Sequence, residues 1–179
     1  TRGIFILCAM LSIISWIVAG TMIATVFWYY ENISKRLVKS PKIYFCDPGI
    51  ACYLLDIESP RQLERDKMRG AIFENFIVME VIKHRYNQGL SNGVYFYRDS
   101  NQNEVDLLLK QEGEITALEI KSSMTYHNSF EKTLSKLSEW IKTPISKKAV
   151  IYAGDFENDK GEIAIINYRN LQHILPTLL

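Results

Sequence analysis

Two neighbouring apolar runs are interrupted by charge in matching places. Glu104-Val105-Asp106 opens the run 104–110, and Glu119-Ile120-Lys121 closes the run 115–121. Each run has the length of a strand, and residues two apart on a strand project from the same face. Glu119 and Lys121 therefore share a face, with Asp106 on the neighbouring strand. Two carboxylates and an ammonium converging at a sheet edge suit the holding of a divalent cation beside a phosphodiester. The pattern calls for a fold that lays these two strands side by side.

The surrounding sequence supplies further elements. Residues 23–29 read as a strand, rich in β-branched and aromatic side chains. A basic turn carrying Lys35, Arg36 and Lys39 leads into a second strand at 42–46. Asp47-Pro48-Gly49 starts a helix, with Asp47 as its N-cap and Pro48 in the first helical position. Residues 56–69 are polar and read as a connector. From Gly70 an amphipathic helix presents Ile72, Phe73, Phe76, Ile77, Val78 and Val81. Three strands follow at 94–98, 104–110 and 115–121, separated by the turns 99–103 and 111–114. A helix at 130–141 places Leu134, Leu137 and Ile141 on one side. The fully apolar run 149–153 reads as a central strand parallel to a neighbour. A strand at 162–166 and a short helix at 168–175 close the chain. The expected class is α/β, in the order helix, three strands, helix, strand.

Composition narrows the function. With 47% hydrophobic and 23% charged residues the chain is globular, and its 179 residues suit one domain or a small domain plus a fragment. A net charge of +1 gives no global basic signal, so a nucleic-acid partner must be met by a local patch. Cys8, Cys46 and Cys52 form no CxxC pair and read as reduced thiols in a cytoplasmic setting. Neither GxxxxGK[ST] nor GxGxxG occurs, so a Walker-type nucleotide site is absent from the sequence. The chain starts at Thr1 and reads as a piece of something longer.

Residues 3–30 carry no charged side chain and are long enough to cross a bilayer, with Lys35, Arg36, Lys39 and Lys42 following as a positive flank. The same stretch also reads as a buried helix and a strand separated at Gly20-Thr21. The second reading takes precedence, and a membrane anchor through residues 3–30 is the alternative.

Residues 70–153 resemble the restriction-endonuclease-like core of the PD-(D/E)xK nuclease superfamily. There, an acid on the first helix, an acid on the second strand and an acid-x-lysine on the third form the site. The matching positions are Glu74, Asp106, Glu119 and Lys121. The segments Gly70-Ala71-Ile72-Phe73-Glu74-Asn75-Phe76, Tyr95-Phe96-Tyr97-Arg98-Asp99, Glu104-Val105-Asp106 and Glu119-Ile120-Lys121-Ser122-Ser123 together resemble the C-terminal domain of a family of prokaryotic AAA-type ATPases. Those proteins carry an N-terminal P-loop ATPase, a winged-helix-like segment and this nuclease-like domain of uncharacterised function. Residues 35–45, with Asp47 and Gly49, resemble the segment just before it, so the likeness covers 31–179. Residues 1–30 depart from the family, whose corresponding helix is amphipathic and partly charged.

The resemblance implies three regions: an apolar segment and winged-helix-like remnant at 1–57, a connector at 58–69 and the nuclease-like domain at 70–179. It implies Asp106 and Glu119 as ligands of Mg²⁺ or Mn²⁺, with the Ile120 carbonyl as a third. Lys121 would act on the attacking water or the phosphate, and Glu74 would support the metal or Lys121. Lys35, Arg36, Lys39, Lys42 and Arg98 are the candidates for contact with a DNA backbone. Expected partners are DNA and an ATPase domain or partner chain. The competing reading is a non-catalytic DNA-binding or regulatory module on the same fold.

Overall fold

The computed structural model describes residues 23–29, 40–90 and 93–178. Seven strands form one mixed sheet in the order β2-β1-β3-β4-β5-β6-β7. They are β1 (Ile23–Trp28), β2 (Lys42–Phe45), β3 (Val94–Arg98), β4 (Glu104–Gln111), β5 (Glu114–Lys121), β6 (Ile145–Tyr152) and β7 (Ala164–Asn167). The helices are α1 (Pro48–Leu54), α2 (Pro60–Leu63), α3 (Arg69–Asn87), α4 (Lys132–Trp140) and α5 (Leu171–Leu178).

Strands β3, β4 and β5 run as an antiparallel meander, and β5, β6 and β7 are parallel. The parallel steps need crossovers. One is supplied by a 3₁₀ turn (Asn128–Glu131) and α4 between β5 and β6. Strand β6 lies between two parallel neighbours, and its buried half Ala149–Tyr152 matches the apolar run. At the other side β1 pairs antiparallel with β2 and parallel with β3 through Phe27↔Tyr95 and Trp28↔Phe96. The sheet is thus continuous from the segment before the connector into the core.

Both faces of the sheet are covered. Leu107, Leu109, Leu118, Ile120, Ala149 and Ile151 pack with Ile77, Val78 and Val81 of α3 and with Leu171 and Leu175 of α5. On the other face Val105, Leu108, Ala117 and Val150 pack with Leu134 and Leu137 of α4. Burial on two sides explains why β4 and β5 read as continuous apolar runs rather than alternating ones.

The expected elements are present with shifted ends. Asp47 caps α1 by accepting the Gly49 N–H at 2.7 Å, with Pro48 at its start. The connector contains the short helix α2, capped by Ser59 and opened by Pro60. The β4–β5 turn is two residues long, with Glu112 and Gly113 at φ of 51° and 89°. Both central residues are left-handed, the conformation a tight hairpin with right-handed twist demands. Gly154, just after β6, has no room for a side chain: a Cβ there would stand 2.1 Å from the Met124 carbonyl oxygen.

Residues 23–28 form a paired strand, as the strand reading expects. No helix among the described residues is long and apolar enough to cross a membrane. The rest of the charge-free stretch and Lys35, Arg36 and Lys39 lie outside the described residues.

Candidate active site

The site forms where β4 begins and β5 ends. The register between them runs from Gln111↔Glu114 to Leu107↔Leu118 and stops there. One step further Asp106 stands opposite Glu119. Its Oδ2 accepts the Ile120 backbone N–H at 2.8 Å, so a carboxylate replaces backbone pairing as the strands part.

A bulge in β4 aims Asp106. Tyr95 pairs with Leu108 and Tyr97 with Val105, so β4 carries one residue more than β3 across this interval. Val105 and Leu108 consequently both pack on the α4 face, although strict alternation would separate them. Bulges of this kind redirect side chains and recur beside functional sites.

Helix α3 brings a third acid, Glu74. Its start is tied to the end of β5, where the Arg69 guanidinium donates to the Ser122 carbonyl. Further along the helix, Asn75 takes the free edge of β2. Its Oδ1 accepts the Phe45 N–H and its Nδ2 donates to the Phe45 carbonyl, both at 2.8 Å. Glu74, beside it, accepts from Lys42 Nζ at 2.9 Å and from the Tyr44 hydroxyl at 2.7 Å.

Lys42 therefore enters the acid cluster. Its Nζ lies 2.9 Å from Glu74, 2.6 Å from Glu104 and 3.8 Å from Asp106. Lys121 Nζ donates to Glu119 Oε1 at 2.5 Å. Glu119 Oε2 is buried and, among the described residues, has no hydrogen-bond partner. Arg98 pairs with the outer oxygen of Glu104, its Nε at 2.8 Å, and its side chain is half exposed. Among the described residues, four carboxylates thus face two ammoniums and one rim guanidinium.

The electrostatics follow from that excess. Burial pushes Asp106 up to about 6, with the Glu74 charge adding and Lys121 and Lys42 opposing. Burial likewise pushes Glu119 up to about 7, reinforced by Asp106 and opposed by Lys121. Burial alone would lower Lys42, but Glu74, Asp106 and Glu104 outweigh it and raise its pKa. Lys121 is raised in the same way by Glu119 and Asp106. Burial alone would raise Glu104, but Lys42 and Arg98 outweigh it and lower its pKa. Burial and the Glu74 charge push the Tyr44 phenol upward.

The geometry brings Asp106, Glu119, Lys121 and Glu74 to one mouth of the sheet. It adds Glu104, Lys42 and Tyr44, which sequence patterning did not assign to this cluster. Among the described residues no three His, Cys, Asp or Glu side chains form a ready metal cluster. Lys42 stands among three of the acids. The donor set still fits a hard divalent cation: buried carboxylate oxygens, an excess of negative charge and one orphaned oxygen on Glu119.

A cavity of about 520 Å³ opens beside Glu104, its lining including Asn103, Lys132, Lys136, Glu139 and Trp140. Lys132, Lys136 and Trp140 follow one stripe of α4, and both lysines line its open side. Lys132 sits in the first turn, where the helix dipole disfavours a cation, and like charges four residues apart repel.

The architecture is a mixed α/β domain with buried acids and lysines at one mouth of its sheet. The chain belongs to the family described as a domain of unknown function, DUF4143, which matches residues 69–171. Domains of this family are commonly found at the C-terminus of AAA-type ATPases. Residues 10–61 match a second domain of unknown function, DUF8612. Two uncharacterised proteins, Mb2031c of Mycobacterium bovis and Rv2008c of Mycobacterium tuberculosis, are each 30% identical to the chain over 127 residues, 71% of its length. The chain spans 27% of each of those relatives. No solved structure matches it.

Proposed function

We propose that residues 70–179 form a PD-(D/E)xK nuclease-like domain with a restriction-endonuclease-like core, the C-terminal part of an AAA-type ATPase, acting on DNA with Mg²⁺ or Mn²⁺. One observation carries this reading. Asp106 and Glu119 are 9% and 5% exposed, interact electrostatically where β4 and β5 part, and leave Glu119 Oε2 without a partner among the described residues. Burying a carboxylate oxygen without a partner is costly unless something else compensates it.

Asp106 and Glu119 would hold the divalent cation. Bound there, it would lower the pKa of a water and neutralise charge on the phosphate. Lys121, held by Glu119, would direct the attacking water or stabilise the phosphate oxygens. Glu74 would set the charge on the α3 side through Lys42 and Tyr44. The cavity beside Glu104 offers Lys132 and Lys136 to the neighbouring phosphates of the strand.

A non-catalytic role has its own support. Lys42 already pairs with three of the acids, so the cluster can act as the clamp of β2 on a DNA-binding or regulatory module. Incubating supercoiled, linear and single-stranded DNA with the chain and Mn²⁺ separates the two. Cleavage lost with Lys121→Ala and with chelator establishes the nuclease. Bound but uncut DNA assigns the module.

A further inference from the structure

Among the described residues, the one cation that touches three acids comes from outside the stretch that carries them. Lys42 lies in the residues matched by DUF8612, whereas Glu74, Glu104 and Asp106 lie in those matched by DUF4143. It is only 20% exposed and reaches over the Phe96 ring, 5.4 Å from its centroid. An ammonium so placed pairs with Glu74 and Glu104 and stands 3.8 Å from Asp106, one of the two carboxylates assigned to the metal. Strand β2, which delivers it, is the edge strand, held by β1, by the Asn75 amide and by this same ion pair.

We propose that Lys42 is the site's built-in counter-cation, which holds Glu74, Glu104 and Asp106 together without metal and competes with a divalent cation for the charge of Asp106. This rests on the metal-dependent reading of the same site. The position of β2 then sets the metal affinity: docked, it neutralises the acids from within; displaced, it frees them. A simple clamp makes the opposite prediction, because removing it would loosen the acids and weaken metal binding. A competing cation is distinguishable by sign. A unit charge about 5 Å from a divalent ion changes its affinity by about tenfold even at the dielectric of water.

The test is calorimetric titration of Mn²⁺ into the full 179-residue chain, with thermal unfolding measured with and without Mn²⁺. Lys42→Met is expected to bind Mn²⁺ about tenfold more tightly than wild type. Lys42→Arg, which keeps the charge, should stay near wild type. Mn²⁺ should raise the melting temperature of Lys42→Met by more than that of wild type. If Lys42→Met does not fold without metal, Lys42→Gln carries the same expectation. Equal or weaker Mn²⁺ binding by these variants, with wild-type binding intact, overturns the competition and leaves the metal site standing. No Mn²⁺ binding by any of the chains overturns both.

Discussion

The Asp106 carboxylate accepts the backbone N–H of Ile120, a residue on the next strand, through Oδ2, while Oδ1 faces Lys42 at 3.8 Å. One side chain thus closes the ladder where β4 and β5 part and contributes charge to the site. The two oxygens have separate tasks, and substitution can separate them.

Asp106→Ala should leave the Ile120 N–H buried without an acceptor and cost about 1–3 kcal/mol. Asp106→Asn keeps an acceptor and removes a buried charge, so its stability should stay within about 1 kcal/mol of wild type. Both should lose Mn²⁺ binding. Urea unfolding and calorimetry on the pair check this, and unaltered Mn²⁺ affinity in Asp106→Asn would exclude that carboxylate as a ligand.

The raised acids predict an unusual pH profile. Burial pushes Asp106 and Glu119 up to about 6 and about 7 in the folded chain, above their ordinary 3.8 and 4.5. The folded state therefore holds these protons more tightly than the unfolded state. Below the ordinary values both states are protonated and nothing is lost. As pH rises from about 4 to about 7 the pair subtracts stability, about 1.4 kcal/mol for each tenfold difference in proton affinity between the two states. Glu104, lowered by Lys42 and Arg98, works the other way, its contribution lost as pH falls through its folded value. Without metal, the urea midpoint should be higher at about pH 5 than at about pH 7.5, and Glu119→Gln should flatten the difference. Mn²⁺ should reverse the slope, because it binds the ionised pair. A flat wild-type profile across this range would contradict the burial argument.

Asn75 predicts how firmly β2 is held. Its amide makes two hydrogen bonds to the Phe45 backbone. Asn75→Ala should cost about 1–3 kcal/mol. Asn75→Asp should cost at least as much, because the donor to the Phe45 carbonyl becomes an acceptor. Hydrogen exchange should report faster exchange at Phe45 before global unfolding changes. Protection of that amide unchanged in Asn75→Ala would show that β1 alone holds the strand.

These cases mark what was legible in the sequence. The order of elements in the core followed from apolar periodicity and turn residues. Asp47, Pro48 and the 111–114 turn declared themselves because caps and tight turns are local. Glu74, Asp106, Glu119 and Lys121 could be assigned to one site on their spacing and the family likeness. The bulge at Asp106 could not be read, because it exists only relative to the register of β3. Lys42 reads from the sequence as a candidate DNA-backbone contact, and its place in the acid cluster is hidden because its partners lie on α3 and β4, far along the chain. Arg98, a candidate phosphate contact, pairs with Glu104 in the fold and keeps half its side chain exposed. The cavity lysines of α4 escaped notice because a charged helix face is ordinary until its neighbours are known.

Those lysines supply the last prediction. Lys132 opposes the dipole of α4 and repels Lys136 one turn on, so the helix gives up stability to keep them. Lys132→Glu should therefore stabilise the chain, by about 0.3–1 kcal/mol from the dipole and a few tenths from the relieved pair. If the cavity beside Glu104 carries the DNA backbone, the same substitution should weaken DNA binding and make its salt dependence shallower by about one charge. Thermal unfolding and fluorescence anisotropy at two salt concentrations read the two effects independently. A gain in stability with DNA affinity and salt slope unchanged would remove this face of α4 from the DNA path and leave the acid site untouched.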